Sequence, residues 1–368
     1  MRLAFLEHLY AHPGPYASVY LDTSRDVGAD PDAAIALRWR HLRDELTSQG
    51  ADPPCLTSLA RAVGSDSDLP GPHGQAIFTA HGTLALKDEL PRPPARDTAG
   101  FGTLPDTMPL ATQHAPDIPY VAAVVRYSGP HTTGTDRIVT VEAEAGTWPL
   151  AKVTPSARLH ERIPVHEWPQ SAMWIGRTLD GWARRIDADA LVLAGDVWAR
   201  GILQRRLPTF VRGRTVTVEG RHTPEPGRAL LEIQLEHLFA GRMSAHDRML
   251  MSMFLAQRAH DGAAAEGLTP AVTALQRGQV KAMLLNDHPE SALRLWVGPR
   301  PTQLALTEEE LRHCGVDNPR QERAGVALLR ALVGTAAELV VVPQQRLRLR
   351  EGVGVLLRYA DRGAATRD

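Results

Sequence analysis

The sequence predicts an α/β protein with more than one domain. Three observations carry that prediction. Apolar runs of strand length alternate with amphipathic helices along most of the chain. One short, wholly apolar run turns directly into a basic helix. At 368 residues, the chain is longer than one ordinary hydrophobic core accommodates. The run is residues 190–194, the pattern of a strand covered on both faces. Gly195 permits a tight turn, Asp196 suits an N-cap, and Ile202, Leu203 and Leu207 return at helical spacing. Arg200, Gln204, Arg205 and Arg206 are left to solvent or a ligand. A strand feeding a helix in this way is half of a βαβ unit, a turn that α/β domains of any function contain.

Composition narrows the class. Hydrophobic content of 43% and charged content of 23% are those of a soluble globular protein, with the cytoplasm as the default location. No apolar run approaches the length of a membrane span, and the segment 1–7 breaks too early for a secretory signal. Cys55 and Cys314 are isolated, which argues against a disulfide framework or a Cys-rich metal site, and no cofactor is indicated. The net charge of −1 hides an asymmetry. Residues 1–117 carry 9 cations against 15 acids, whereas residues 152–228 carry 13 against 8, and twelve of those thirteen are Arg. Arginine donates bidentately to phosphate and stacks on bases, so this local excess points toward nucleic acid. A solvated face is the plainer explanation of the same count.

In chain order, residues 16–22 alternate as a strand. Residues 31–49 form an amphipathic helix capped by Asp30, and a second helix starts at Pro53. Residues 75–79 and 83–87 pair as a hairpin, and residues 91–118 read as a Pro/Gly-rich surface connector. A buried-type strand at 120–127 and an alternating partner at 137–144 follow. Residues 147–170 are the least regular stretch, with four prolines, Trp148 and Trp168, and five Lys, Arg or His side chains. A helix at 173–186, the 190–194 strand with its helix, and a strand at 214–219 come next. Residues 226–260 are helical with a break near Gly241, and 262–267 form a small-residue linker. The last segment predicts a helix at 270–278, strands at 279–286 and 293–297, a helix at 321–333, and strands at 338–342 and 352–359.

Three patterns carry a family resemblance. They are the helix–Gly–Val–strand opening at 274–285, the closing strands at 337–342 and 352–359, and the Leu191-Val-Leu-Ala-Gly195 strand and turn. Together they resemble the release-factor superfamily of archaea and eukaryotes, which includes Pelota, and within it an actinobacterial branch related to the hibernation factor Balon. The resemblance implies three domains. These are an N-terminal α/β domain (1–117), a middle domain with an RNase H-like mixed sheet (118–260) and a C-terminal α/β sandwich like ribosomal protein L7Ae (261–368). Residues 1–117 match only in overall character. Hydrolytic members place a Gly-Gly-Gln tripeptide on a middle-domain loop, which helps position water against the peptidyl ester. The loop implied here is 147–170. No two glycines are adjacent anywhere in the chain, and the loop's only glutamine, Gln170, follows Pro169, whose fixed φ opposes what glycine supplies.

On that reading Lys152, Arg158, His160 and Arg162 contact RNA, with Arg184, Arg185, Arg205, Arg206, Arg212 and Arg214 as further candidates. The paired arginines end helices, where cations also favour the dipole, so a structural role competes. Trp148 and Trp168 can stack on bases or anchor the loop, and anchoring is the commoner fate. The acidic loop 22–26 is a poor match for phosphate. The His160-Glu161 and His166-Glu167 pairs lack the second histidine of a zincin, because the position four residues after His160 is Pro164. The resemblance implies a non-hydrolytic factor in the A site of the 70S ribosome. It would touch 23S rRNA near the peptidyl-transferase centre and 16S rRNA near the decoding centre, and protect idle ribosomes in stress or stationary phase. Elongation factor Tu is an implied partner; no membrane or DNA role is expected. The alternatives are a peptidyl-tRNA hydrolase or ribonuclease using the same loop, with His160 as general acid or base, and a stress-associated module without ribosome contact.

Overall fold

A computed structural model describes residues 1–12, 14–25, 30–69, 71–128, 137–218, 227–259, 263–286 and 293–359, with 227–231 in backbone only. Asp26, Glu219, Pro226, His260 and Gly262, which the sequence reading assigned to a loop, a strand, a helix and a linker, lie outside them. The chain forms two compact units, one from Met1–Ala115 with His246–Asp368, the other from Pro116–Ala245.

The first unit opens with β1 (Tyr16–Asp22), β2 (Gly74–Ala80), β3 (Thr83–Leu90) and β4 (Thr98–Gly102), an antiparallel sheet ordered β3-β2-β1-β4. The helices Pro31–Ser48 and Pro53–Ala62 cover one face through Ile35, Leu42, Leu46 and Leu59. Asp30 caps the first, its carboxylate accepting from Ala33 N at 3.0 Å, as its place before Pro31 predicts. Residues 91–118 are not a plain connector. They supply β4, which pairs with the edge of β1, and the helix Met108–His114. The strand is Thr-Ala-Gly-Phe-Gly, too poor in alternating apolar residues to announce itself, and it is held by pairing rather than by burial.

The second unit is one five-stranded mixed sheet of β5 (Ile118–Ser128), β6 (Ile138–Trp148), β7 (Ala157–Pro164), β8 (Ala190–Gly195) and β9 (Thr215–Thr217), ordered β7-β6-β5-β8-β9. The first three strands run antiparallel, and β8 and β9 add in parallel. β5 is buried on both faces. Val121, Ala123 and Val125 meet the helices Trp168–Ile186 and Val197–Arg206, while Tyr120, Ala122 and Val124 join Leu235 and Phe239 of the helix Gly227–Phe239. At the β8 turn Gly195 has φ +101°, and a Cβ there would lie 2.0 Å from the Val125 carbonyl oxygen. Asp196 follows as N-cap, accepting from Ala199 N.

The irregular loop expected at 147–170 is instead mostly ordered. Thr147 and Trp148 end β6, 157–164 form the edge strand β7, and a helix starts at Trp168. Pro149 and Pro155 precede β7, Pro164 ends it and Pro169 opens the helix, so none of these four prolines interrupts a ladder interior.

The first unit resumes with β10 (Ala264–Glu266), β11 (Val280–Asn286), β12 (Arg294–Val297), β13 (Leu304–Ala305), β14 (Arg320–Arg323), β15 (Glu338–Val342) and β16 (Val353–Leu357). They form two sheets, β10-β16-β11-β15 and β13-β12-β14. β10 replaces part of the expected linker, and the helix expected from Gln321 starts at Ala324, after β14. Residues 246–259, expected in the middle domain, pack with this unit. Both ends of the chain share one core, in which Tyr20, Phe78 and Leu90 join Leu275, Leu332 and Val355.

Between β1 and β2 lies a buried polar cluster. His73 and Asp66 are 1% and 0% exposed in their side chains, with His73 Nε2 3.2 Å from Asp66 Oδ2. The Thr23 hydroxyl donates to the same carboxylate oxygen, and His73 Nδ1 lies 2.7 Å from the Gly71 carbonyl. Burial by itself presses the imidazole's pKa down, but the proximity and charge of Asp66 outweigh it and raise the value. Asp66 is lowered: burial would raise it, and His73 with Thr23 more than offsets that.

Gly195→Ala, which meets both a positive φ and the Val125 carbonyl, is expected to cost about 3 kcal/mol or more in urea unfolding. The His73 contribution is present in full below the ordinary histidine value near 6.5 and fades as pH rises through the raised one. The Asp66 contribution is present above the ordinary carboxylate value near 3.8 and fades as pH falls. Stability measured at pH 6 should therefore exceed that at pH 8.5, and His73→Gln should flatten the difference.

Candidate functional site

The helix Gly227–Phe239 meets the β5 and β8 part of its sheet face, through Leu235 and Phe239 against Tyr120, Val124 and Val192. On the same face β6 and β7 carry polar residues. Register places Glu144 opposite Arg158, Glu142 opposite His160 and Thr140 opposite Arg162. Arg158, His160 and Arg162 are exposed because β7 alternates, with Leu159 and Ile163 turned to the core. Successive side chains on one face stand about 7 Å apart along the strand.

The acids in this row are already engaged. Arg126 donates to Glu142 Oε1 at 2.5 Å, and His160 Nδ1 lies 3.7 Å from the same oxygen. The Tyr120 hydroxyl donates to Glu144 Oε1 at 2.6 Å. The Arg158 and Arg162 side chains make no hydrogen bond or ion pair among the described residues. They present two guanidinium groups, with the His160 imidazole between them on the strand, a donor set suited to phosphate. Glu161 points to the opposite face of β7 from His160, so the adjacent His-Glu pair is not a pair in space.

The other expected cations are placed differently. Lys152 sits 4.8 Å from the Trp148 ring centre and 3.5 Å from Glu236 Oε2. Arg184 and Arg214 lie over one ring, Phe210, at 4.5 and 4.0 Å, and Arg184 also bonds Asp180 at 2.7 Å. Arg212 caps a helix end by donating to the Leu207 carbonyl, with Nε at 3.1 Å. Arg185, Arg205 and Arg206 are exposed at helix C-termini, without an ion-pair partner among the described residues. Trp148 is 4% exposed and Trp168 0%, with Trp168 Nε1 donating to the Ala199 carbonyl, so both are anchors and neither offers a face to a base. Gln170 is exposed in the first turn of its helix.

Sequence reasoning missed Arg126, Glu142, Glu144 and Phe210. The alternation Val139-Thr-Val-Glu-Ala-Glu144 held the signal for the two acids, but their partners follow only from register. It also missed the exposed Tyr127 and Trp198, whose ring centres are 5.8 Å apart. His166 and Glu167 are 3.5 Å apart on the surface. Among the described residues no group of three or more His, Cys, Asp or Glu can hold a metal ion, and no helix is long and apolar enough to cross a membrane. In the acidic loop, Asp22 pairs with Arg38 at 3.3 Å.

Residues 119–260 match the family model of bacterial archaeo-eukaryotic release factor family 2. Two uncharacterised Mycobacterium tuberculosis proteins, from different strains, are each 27% identical over 385 residues, covering 98% of this chain and 97% of theirs. Among solved structures, Archaeoglobus fulgidus Pelota aligns at 12% identity with a TM-score of 0.37, covering 97% of this chain and 92% of its own. S. cerevisiae Dom34, a translation termination-like factor interacting with Hbs1, aligns at 10% with a TM-score of 0.35, covering 78% and 80%.

Separating free cations from structural ones gives a direct check. Arg158→Ala and Arg162→Ala are expected to change unfolding free energy by less than about 0.5 kcal/mol. Lys152→Ala, which uncovers Trp148, should cost about 1 kcal/mol. Urea denaturation of the three variants measures both.

Proposed function

We propose, from the match of residues 119–260 to the model of bacterial archaeo-eukaryotic release factor family 2, that the protein is a release-factor-like translation factor that binds the ribosome without releasing the peptide. Its finer role is A-site occupancy of 70S ribosomes that are idle in stress or stationary phase. The middle domain would face 23S rRNA near the peptidyl-transferase centre, and residues 1–117 the decoding region of 16S rRNA. Elongation factor Tu is the partner this reading names for delivery. The observation that carries the proposal is the row of Arg158, His160 and Arg162 on an edge strand, where two guanidinium groups have no acid partner among the described residues. Such cations bind RNA phosphate and position a protein on it without reading sequence. Arg185, Arg205 and Arg206, on the helices that cover the sheet's other face, would be a separate set of RNA contacts. The family's hydrolytic step needs adjacent glycines, and the chain has none.

A second reading, cleavage of peptidyl-tRNA or RNA, draws on one observation: the His160 imidazole 3.7 Å from Glu142, an arrangement suited to proton transfer. Single-turnover incubation with peptidyl-tRNA separates the two. Cleavage lost in His160→Ala would replace the first reading.

The test of ribosome binding is co-sedimentation with 70S ribosomes over salt from about 50 to about 200 mM. Binding should weaken steeply across that range. Arg158→Glu with Arg162→Glu should weaken it by about tenfold or more and lower the salt slope by about 2. No association at the lowest salt would discard the proposal.

A further inference from the structure

The unit formed by the two chain ends holds a cleft of about 1040 Å³, at the upper end of the size of small-molecule sites. Its origin is in β4. Register sets Thr98, Gly100 and Gly102 beside Tyr20, Ser18 and Tyr16, so two of the three positions on that face carry no side chain. A Cβ at Gly100 would meet nothing within 4 Å. The space above Ser18 and Tyr20 is therefore open rather than filled.

The floor of the cleft is satisfied. Ser18 Oγ accepts from Asp106 N at 3.2 Å, and the Tyr20 hydroxyl donates to the Asp106 carbonyl and accepts from Leu110 N. The acids are mostly used as well. Asp97 is 3.6 Å from Arg38, Asp106 pairs with Arg323, and Glu45 accepts from Gln49 at 3.3 Å. The rim differs: Arg92 and Arg96 are exposed and have no ion-pair partner among the described residues. Pro93, Pro94 and Met108 provide an apolar wall close to these two cations.

We propose that this cleft binds a nucleoside phosphate, with Arg92 and Arg96 on the phosphates and the base or ribose against the proline and methionine wall. Free guanidinium groups select phosphate by bidentate donation. An apolar wall in the same cleft favours a ring system over a bare anion. The site lies outside the 119–260 domain and shares no residue with the β7 row, so it can fail while ribosome binding stands.

The experiment is isothermal titration of the full chain with ADP, GDP, AMP and inorganic pyrophosphate, alongside thermal-shift measurement. A nucleoside diphosphate is expected to bind at millimolar or lower concentration, more tightly than pyrophosphate, and to raise the melting temperature. Arg92→Glu with Arg96→Glu should lose about tenfold or more in affinity. Gly100→Leu, which fills the cleft from a strand position with ordinary φ, should abolish binding. If Gly100→Leu does not fold, the arginine pair decides alone. Absence of binding by every nucleotide, binding unchanged in the arginine pair, or equal affinity for pyrophosphate would each overturn the proposal. A short RNA that binds more tightly than mononucleotides, and is lost in the same variants, would overturn it in favour of RNA.

Discussion

A strand buried on both faces over residues 120–125 governs the unit of residues 116–245. β5 is paired along both edges, to β6 and β8, and both its faces are covered by helices. Every backbone polar group of its interior must be satisfied within the sheet, because no water reaches it. That requirement brings β8 close enough that Gly195 passes over the Val125 carbonyl, where no side chain fits. It also sets where the coverage stops. One helix lies on the β5 and β8 half of the second face, and the outer strands are left with polar residues directed to solvent. The row on β7 occupies the part of the sheet that the core does not need.

Electrostatic pairing then sorts the cations. On β6, Glu142 and Glu144 engage Arg126 and the Tyr120 hydroxyl, fixing the acids in the sheet rather than on the outer strand. Arg158 and Arg162 are thereby left exposed, without an acidic partner among the described residues. Elsewhere the long basic side chains lie on aromatic surface: Lys152 on Trp148, Arg184 and Arg214 on Phe210. Their stems cover apolar area while the charged heads stay wet, so these three stabilise the domain whatever it binds. Charge counting alone does not separate the two groups. Geometry does.

The unit built from both ends follows the same logic of burial. Its core mixes residues of β1 and β2 with those of β11, β16 and the helix Ala324–Gly334. The family model runs to residue 260, yet the helix Ala245–Ala259 packs here, with Phe254 so close to Gly354 that a Cβ would stand 2.8 Å from its ring. Sequence kinship and packing thus divide the chain at different places, since kinship follows inherited segments and packing follows whichever apolar face is nearest.

The amino-acid pattern by itself determined the α/β class, the longer helices and the buried strands, the Asp30 and Asp196 caps and the break at Gly241. These depend on local periodicity and backbone freedom, which neighbours in sequence carry. It also determined that no Gly-Gly-Gln is present and that basic residues gather in the middle of the chain. Only the tertiary structure decided that residues 157–164 are a strand, that Trp148 and Trp168 are interior, and that Lys152 is engaged while Arg158 and Arg162 are open. Edge strands such as β4 and β7 are held by pairing with distant residues, and a side chain's freedom depends on what register sets across from it. Neither is written in the residues next to it.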